Sequence, residues 1–490
     1  MTRHEDAGRP QLKRNALGTA SIVFFVVAAA APLAATLGAS PIVFGANGVG
    51  GAGAYAVAAV VLLVFAIGYA TMAHHVTSAG GFAALIARGL GRPWGFAAAF
   101  VALLAYNAML AGIFGQVGAF AHEIMNDKLG IDLPWEVWVA IGIALVAVLG
   151  YNDIRISARV LAVLLIAEVT ILLVMDAVIL VQGGESGISA APFYPSNIFS
   201  GAAGVAIIFA FGCFIGFEAT AVYGEEARNP KRTIPRGTYV AIFVIGGFYV
   251  VTMWAISLGY GLDRVTAAAQ KDPVNFVFTL NDSFVGSFST DLMNWVVLTS
   301  LFAVVLAFHN TLARYLFSLG RADVLPVRFG ETHERSGAPS RASLLQSAIT
   351  ATIVGLFMVF RKDPFFNLFV WLVGLGTLAV LTLMAATSLA VIGFFRSRSQ
   401  TTVESPWKVL VAPALGCAGL CAAIYLGVHN FDALTGATSG PVTYLPWLIP
   451  AAALIGLGVW WVKRENETAD VTLGLDETVD AVPEPVAEAL

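Results

Sequence analysis

Apolar runs of about 20 residues recur from residue 17 to residue 462, separated by short polar segments. That is the helix length a bilayer's hydrocarbon core demands. Of the 490 residues 58% are hydrophobic and only 12% charged, with a mean hydropathy of +0.80. A soluble globular domain has no use for so much apolar surface, so the chain reads as an all-α polytopic membrane protein. Twelve spans are predicted, over 17–44, 52–73, 94–121, 134–151, 157–182, 197–223, 237–260, 290–319, 342–360, 365–394, 407–428 and 442–462. A polar segment, 1–16, precedes the first, whose apolar run lacks a cleavage site and is too long for a signal peptide.

Charge sets the orientation, because Lys and Arg collect on the cytoplasmic side. With the N-terminus inside, only Lys128, Arg264, Lys271, Arg361 and Lys362, of 27 basic residues, fall outside. Both termini are therefore predicted to be cytoplasmic, in the plasma (inner) membrane. Residues 465–490 carry acids and no basic residue, as a solvated, disordered tail does. Residues 17–464 form one membrane unit, since no loop is long enough to fold separately. Several function classes fall away. The chain has no phosphate-binding loop, no HExxH and no polar cluster with catalytic spacing, so neither an enzyme nor an ATP-driven pump is expected. Its basic residues form no continuous patch for nucleic acid. Cys213, Cys417 and Cys421 lie in apolar runs without a neighbouring histidine or acid, so neither a disulfide nor a metal site is expected, and no cofactor is implied.

Two spans carry interruptions. The sixth contains Phe211-Gly212-Cys213-Phe214-Ile215-Gly216, and glycine stabilises a helix least. The first contains Ala28-Ala29-Ala30-Ala31-Pro32-Leu33, where Pro32 removes a backbone donor and frees a carbonyl one turn earlier. Open backbone at membrane depth is tolerated only where it is buried in protein or lines a cavity. Taken singly, each interruption reads equally well as a binding site or as a kink that lets helices pack closely. Their placement favours the site. Each opens a set of five spans, residues 17–182 and 197–394, with 407–462 as two additional helices. Because five is odd, the second set runs inverted, the arrangement alternating-access carriers use.

Gly216-Phe217-Glu218, Glu225-Glu226-Ala227-Arg228-Asn229-Pro230 and Ile234-Pro235-Arg236 follow the second interruption. Elsewhere stand Thr77-Ser78-Ala79-Gly80-Gly81-Phe82, Asn310-Thr311-Leu312-Ala313-Arg314, Leu319-Gly320-Arg321-Ala322-Asp323 and Leu325-Pro326. In this order they resemble the amino acid–polyamine–organocation family of permeases, over most of the chain. The resemblance implies the LeuT-type fold of five plus five inverted helices, with two more at the C-terminus. It also implies a substrate with an amino group, and commonly a carboxylate, between the two interruptions. Freed carbonyls would meet an ammonium, and N–H groups at half-helix N-termini would meet a carboxylate. The binding candidates are Ala29, Ala30, Ala31 and Pro32 in the first span and Phe211, Gly212, Cys213, Phe214, Ile215 and Gly216 in the sixth. Tyr106 and Asn107 in the third span join them, because the family geometry sets that helix against the substrate.

Three polar residues are candidates for coupling or gating. Aligned on Ser157-Ala158-Arg159-Val160, Glu168 stands where many proton-coupled relatives have a lysine. A carboxyl about eleven residues into a span is costly in lipid and should face the interior. It reads as a proton carrier, as a ligand for the second ammonium of a diamine, or as a structural tie. Glu218 reads as a gate or an interhelical tie, and His309 as a relay or, more simply, hydrogen-bonded structure. Asp176 is expected near the outer interface. These features define a secondary transporter importing amino acids or related amines, driven by protons. Exchange of one amine for another and a permease-like sensor acting through the acidic tail remain alternatives. Oligomeric state is not encoded in any feature read here.

Overall fold

Where the apolar runs fall, the chain is helical. The computed structural model describes residues 18–76, 81–152, 158–218, 220, 230–321, 324–333, 338–397 and 404–463, and no strand occurs among them. The principal helices are α1 (Thr19–Ala29), α2 (Pro32–Asn47), α3 (Gly51–His75), α4 (Gly81–Leu90), α5 (Arg92–Leu129), α6 (Trp135–Tyr151), α7 (Ala158–Gln182) and α8 (Ala203–Gly212). They continue with α9 (Pro230–Tyr260), α10 (Val265–Lys271), α11 (Phe276–Phe284), α12 (Ser287–Arg321), α13 (Ser340–Val359), α14 (Val370–Ser397), α15 (Ala412–His429) and α16 (Leu448–Lys463). Among the described residues nine helical stretches are long and apolar enough to cross a membrane. Shorter apolar helices include α1 and α8, which belong to the two interrupted runs.

The element ends depart from the sequence reading where tertiary contacts intervene. In the run expected over 197–223 a short helix, Pro195–Ile198, is separated from the one that starts at Ala203, because Gly201, at φ 53°, turns the chain and Ala202 N–H donates to the Ala46 carbonyl. Its start is capped from afar, with the Asn430 side chain accepting from Gly204 N–H at 3.0 Å. The loop expected over 261–289 contains two short helices, α10 and α11. Helix α5 has 38 residues, about 57 Å at 1.5 Å per residue, and so projects beyond a hydrocarbon core of about 30 Å. The Thr77–Gly80 stretch, the Glu225–Asn229 stretch, Ala322–Asp323, the first 17 residues and the tail after Lys463 lie outside the described residues.

Small residues let these helices approach closely, as expected where van der Waals contact rather than water exclusion holds helices together. A Cβ added at Gly376 of α14 would stand 2.5 Å from Met109 Cγ of α5, and one at Gly115 would meet the Pro364 carbonyl at 2.4 Å. The outer surface is apolar instead: Phe243, Val163, Val181, Val359 and Leu454 are all more than 60% exposed. Apolar exposure on this scale marks a lipid-facing surface. One core of buried side chains runs from Ile22 to Ile449, and the two interrupted helices pass through its middle.

Candidate functional site

Between α1 and α2 the helix is broken at two residues. Ala30 keeps right-handed geometry, Ala31 takes φ 43° and ψ 68°, and Pro32 starts the new helix without an N–H to satisfy. A left-handed alanine costs roughly 1–2 kcal/mol, so the surrounding structure must hold it there. Tyr249 Oη of α9 donates to the Ala30 carbonyl at 3.3 Å, and Glu168 Oε2 of α7 accepts from Leu33 N–H at 3.2 Å. The carboxylate thus caps the N-terminus of α2 from another helix, where the helix dipole favours negative charge. Glu168 is 4% exposed and has Ser300 of α12 beside it.

The second break lies after α8. Phe214 N–H bonds the Phe211 carbonyl and Ile215 N–H bonds that of Gly212, a tighter pattern than an α-helix, and Gly216 then takes φ 116°. That backbone conformation is open to glycine and strained for any other residue. The freed Gly216 N–H donates to Glu218 Oε2 at 2.8 Å, and Tyr106 Oη donates to Glu218 Oε1 at 3.1 Å. Tyr69 Oη holds the Glu218 carbonyl at 2.8 Å. A carboxylate therefore occupies a freed amide at each break. The breaks are neighbours: a Cβ on Gly216 would lie 3.5 Å from Ala29 Cβ.

A cavity of about 80 Å³ lies against both breaks. Ala29, Ala30, Ala31, Gly212, Cys213 and Ile215 line it, so six of the residues singled out in the two spans meet there. The others stand apart. Phe211 and Phe214 are buried, and Phe214 packs edge-on to Tyr249 at 6.0 Å. Gly216 and Pro32 shape the turns without lining the cavity. Tyr106 sits one ring behind it, 6.1 Å from the lining Phe308. Asn107 is turned away, donating to the Leu103 carbonyl and accepting from Gln346 at 2.8 Å, a tie between α5 and α13. His309 faces Ser343 at 3.1 Å and lies against Gly150, also clear of the cavity. Asp176, expected at an interface, is instead 2% exposed and accepts from Thr252 Oγ1 at 2.6 Å. It lies two helical turns beyond Glu168 on the same face of α7, and that spacing carries it into the interior.

Sequence reasoning missed the rest of the wall. Met109, Ile113 and Gln116 come from α5, and Leu301, Val304 and Phe308 from α12. Each set recurs at helical spacing, but the same spacing marks every packed face in the molecule, so nothing in the chain sets these apart. One grouping of possible metal ligands also emerges among the described residues: ligand atoms of His74, His75 and Glu404 lie within 4.8 Å of one another. Lys408 already stands 3.7 Å from the Glu404 carboxylate, and the group does not line the cavity.

Two interrupted helices meeting at a cavity, inside an all-helical molecule with an apolar outer surface, are the parts of a membrane transporter. A profile of the amino acid permease family matches residues 21–470, and the chain belongs to that family. It is similar to the amino-acid permease GAP5 of Candida albicans, 24% identical over 81% of this chain and 67% of that one. It is also similar to the branched-chain amino acid permease BcaP of Lactococcus lactis, 24% identical over 76% of this chain and 80% of the relative. Against the cationic amino acid transporter 7 of Arabidopsis thaliana it is 28% identical over 45% of its length, and spans about a third, 34%, of that protein. The protein is therefore a multi-pass membrane protein of a transporter family, with amino acids as its substrate class.

Proposed function

We propose that the protein imports amino acids or related amines across the plasma membrane by alternating access, in symport with protons. Both termini are cytoplasmic in this reading, and the helices form two inverted sets of five with two more at the C-terminus. The observation that carries the coupling is the bond from Leu33 N–H to Glu168. A charged carboxylate holds that amide strongly, whereas a protonated one holds it weakly. Protonation of Glu168 thus loosens the N-terminus of α2 beside the cavity and joins proton binding to motion of the half-helix. A diamine ligand role has less support, because Glu168 does not line the cavity and its carboxylate is already engaged.

Uptake in proteoliposomes with and without an inward proton gradient tests this. Wild type should accumulate amino acid only with the gradient. Glu168→Gln should lose accumulation yet still exchange internal for external substrate. A variant that still accumulates against a gradient would remove Glu168 from the coupling step.

A further inference from the structure

The walls of the cavity carry information about the substrate's side chain. Around the breaks they are α-carbon backbone and alanine: Ala30, Ala31, Ala34, Ala35 and Ala39 from the first interrupted run. The far walls are aliphatic or aromatic, and among the described residues only Gln116 and Cys213 bring a side-chain hydrogen-bonding group. Both are engaged. Gln116 Nε2 donates to the Ala34 carbonyl at 2.7 Å, and Cys213 Sγ lies 3.3 Å from Tyr55 Oη. Among the described residues no charged side chain lines the cavity.

One end is sealed. A Cβ at Gly38 would fall 2.7 Å from Gln116 Nε2 and 2.8 Å from Phe369 Cζ, so both side chains rest directly on the α2 backbone. Phe369 is braced in turn by Phe365 at 5.2 Å and Phe209 at 6.0 Å. The cavity volume is about 80 Å³.

Resting on the transport reading above, we infer that this cavity selects neutral amino acids with short or branched aliphatic side chains, and that Phe369 sets the upper size limit. The ammonium and carboxylate common to all amino acids meet backbone groups of the two breaks other than Leu33 N–H and Gly216 N–H, which Glu168 and Glu218 hold. The remaining wall offers only apolar contact. A lysine, glutamate or diamine would bring a second charge to a surface without a counter-charge, and an unpaired buried charge is strongly disfavoured. An aromatic side chain would overlap the braced Phe369 ring.

The test uses the purified full-length protein in proteoliposomes and labelled leucine, phenylalanine, lysine and putrescine. Leucine uptake should exceed that of the other three at least tenfold, and excess valine or isoleucine should suppress it severalfold. Phe369→Ala should raise the phenylalanine-to-leucine ratio about tenfold, the order of discrimination a hydrophobic pocket achieves by size. Ala35→Val, which narrows the cavity instead, should make excess unlabelled alanine a stronger competitor of leucine uptake than it is in wild type, and melting temperatures report whether each variant is folded. Lysine or putrescine uptake comparable to that of leucine overturns the aliphatic assignment and leaves the transport reading standing. Folded variants that leave the ratios unchanged overturn the cavity as the selecting site. No uptake of any of the four overturns both.

Discussion

Single side chains divide into those that act on the breaks and those that brace the helices. Tyr106 belongs with the first: its hydroxyl donates to Glu218, which in turn holds Gly216 N–H. Hydrogen bonds to charged groups are worth about 1.5–3 kcal/mol. Tyr106→Phe should therefore lower the melting temperature by several degrees and also slow transport, read as the maximal uptake rate of the folded protein. Asn107 belongs with the second, since it joins α5 to α13 through Gln346. Asn107→Ala should lower the melting temperature and leave the apparent KM of the surviving transport unchanged. Asp176→Leu should destabilise by roughly 1–3 kcal/mol, because Thr252 loses its acceptor. Asp176→Asn keeps an acceptor and should fold like wild type, which a thermal melt of both variants checks. Adjacency in sequence is a poor guide here. Tyr106 and Asn107 are neighbours read together as substrate contacts, yet one reaches towards the cavity and the other away, because consecutive helical residues point about 100° apart.

Among elements, the two interrupted helices are tied to each other at one end. Asn47 Nδ2 donates to the Ser200 carbonyl at 2.6 Å and Ala202 N–H to the Ala46 carbonyl at 3.0 Å, clasping the end of α2 to the start of α8. The second break depends on Gly216. Gly216→Ala forces an L side chain to φ 116°, a strain of about 1–3 kcal/mol, although a Cβ would find ordinary contact 3.5 Å from Ala29. The variant should lose transport and melt several degrees lower. The control is Gly247→Ala in the middle of α9, where no atom lies within 4 Å of the added Cβ. That change should stabilise by about 0.5–1 kcal/mol through helix propensity. Both interruptions were legible as local sequence, because proline and glycine act within one turn. Their meeting was not, for nothing local to Ala29 names Gly216 as its neighbour.

At the scale of the whole molecule, the apolar outer surface and the distribution of Lys and Arg make a joint prediction about orientation. Arg264 pairs with Glu185 at 2.6 Å on one side, and Arg341 pairs with Glu331 on the side predicted to be cytoplasmic. With the native cysteines replaced, a single cysteine at 264 should react with an impermeant thiol reagent added to whole cells. One at 341 should react only after permeabilisation. The opposite pattern would overturn the orientation assigned above. These exposed ion pairs add little stability, so the substitutions test topology without disturbing the fold.

The chain by itself determined that this protein is helical and membrane-embedded, and where its helices break. Hydropathy over 20 residues, charge bias and the conformational habits of proline and glycine are all short-range properties. Family membership was equally legible, because its motifs are runs of adjacent residues. Only the tertiary structure decided which side chains meet the breaks. Glu168 reaches Leu33 across 135 residues and Gln116 reaches Ala34 across 82. The character of the cavity was decided there too. Its wall is made mostly of alanine, aliphatic and phenylalanine residues that look like any other packed face until six helices bring them around one cavity. Apolar contacts are non-directional and individually weak, so no local pattern distinguishes a residue that packs from one that selects.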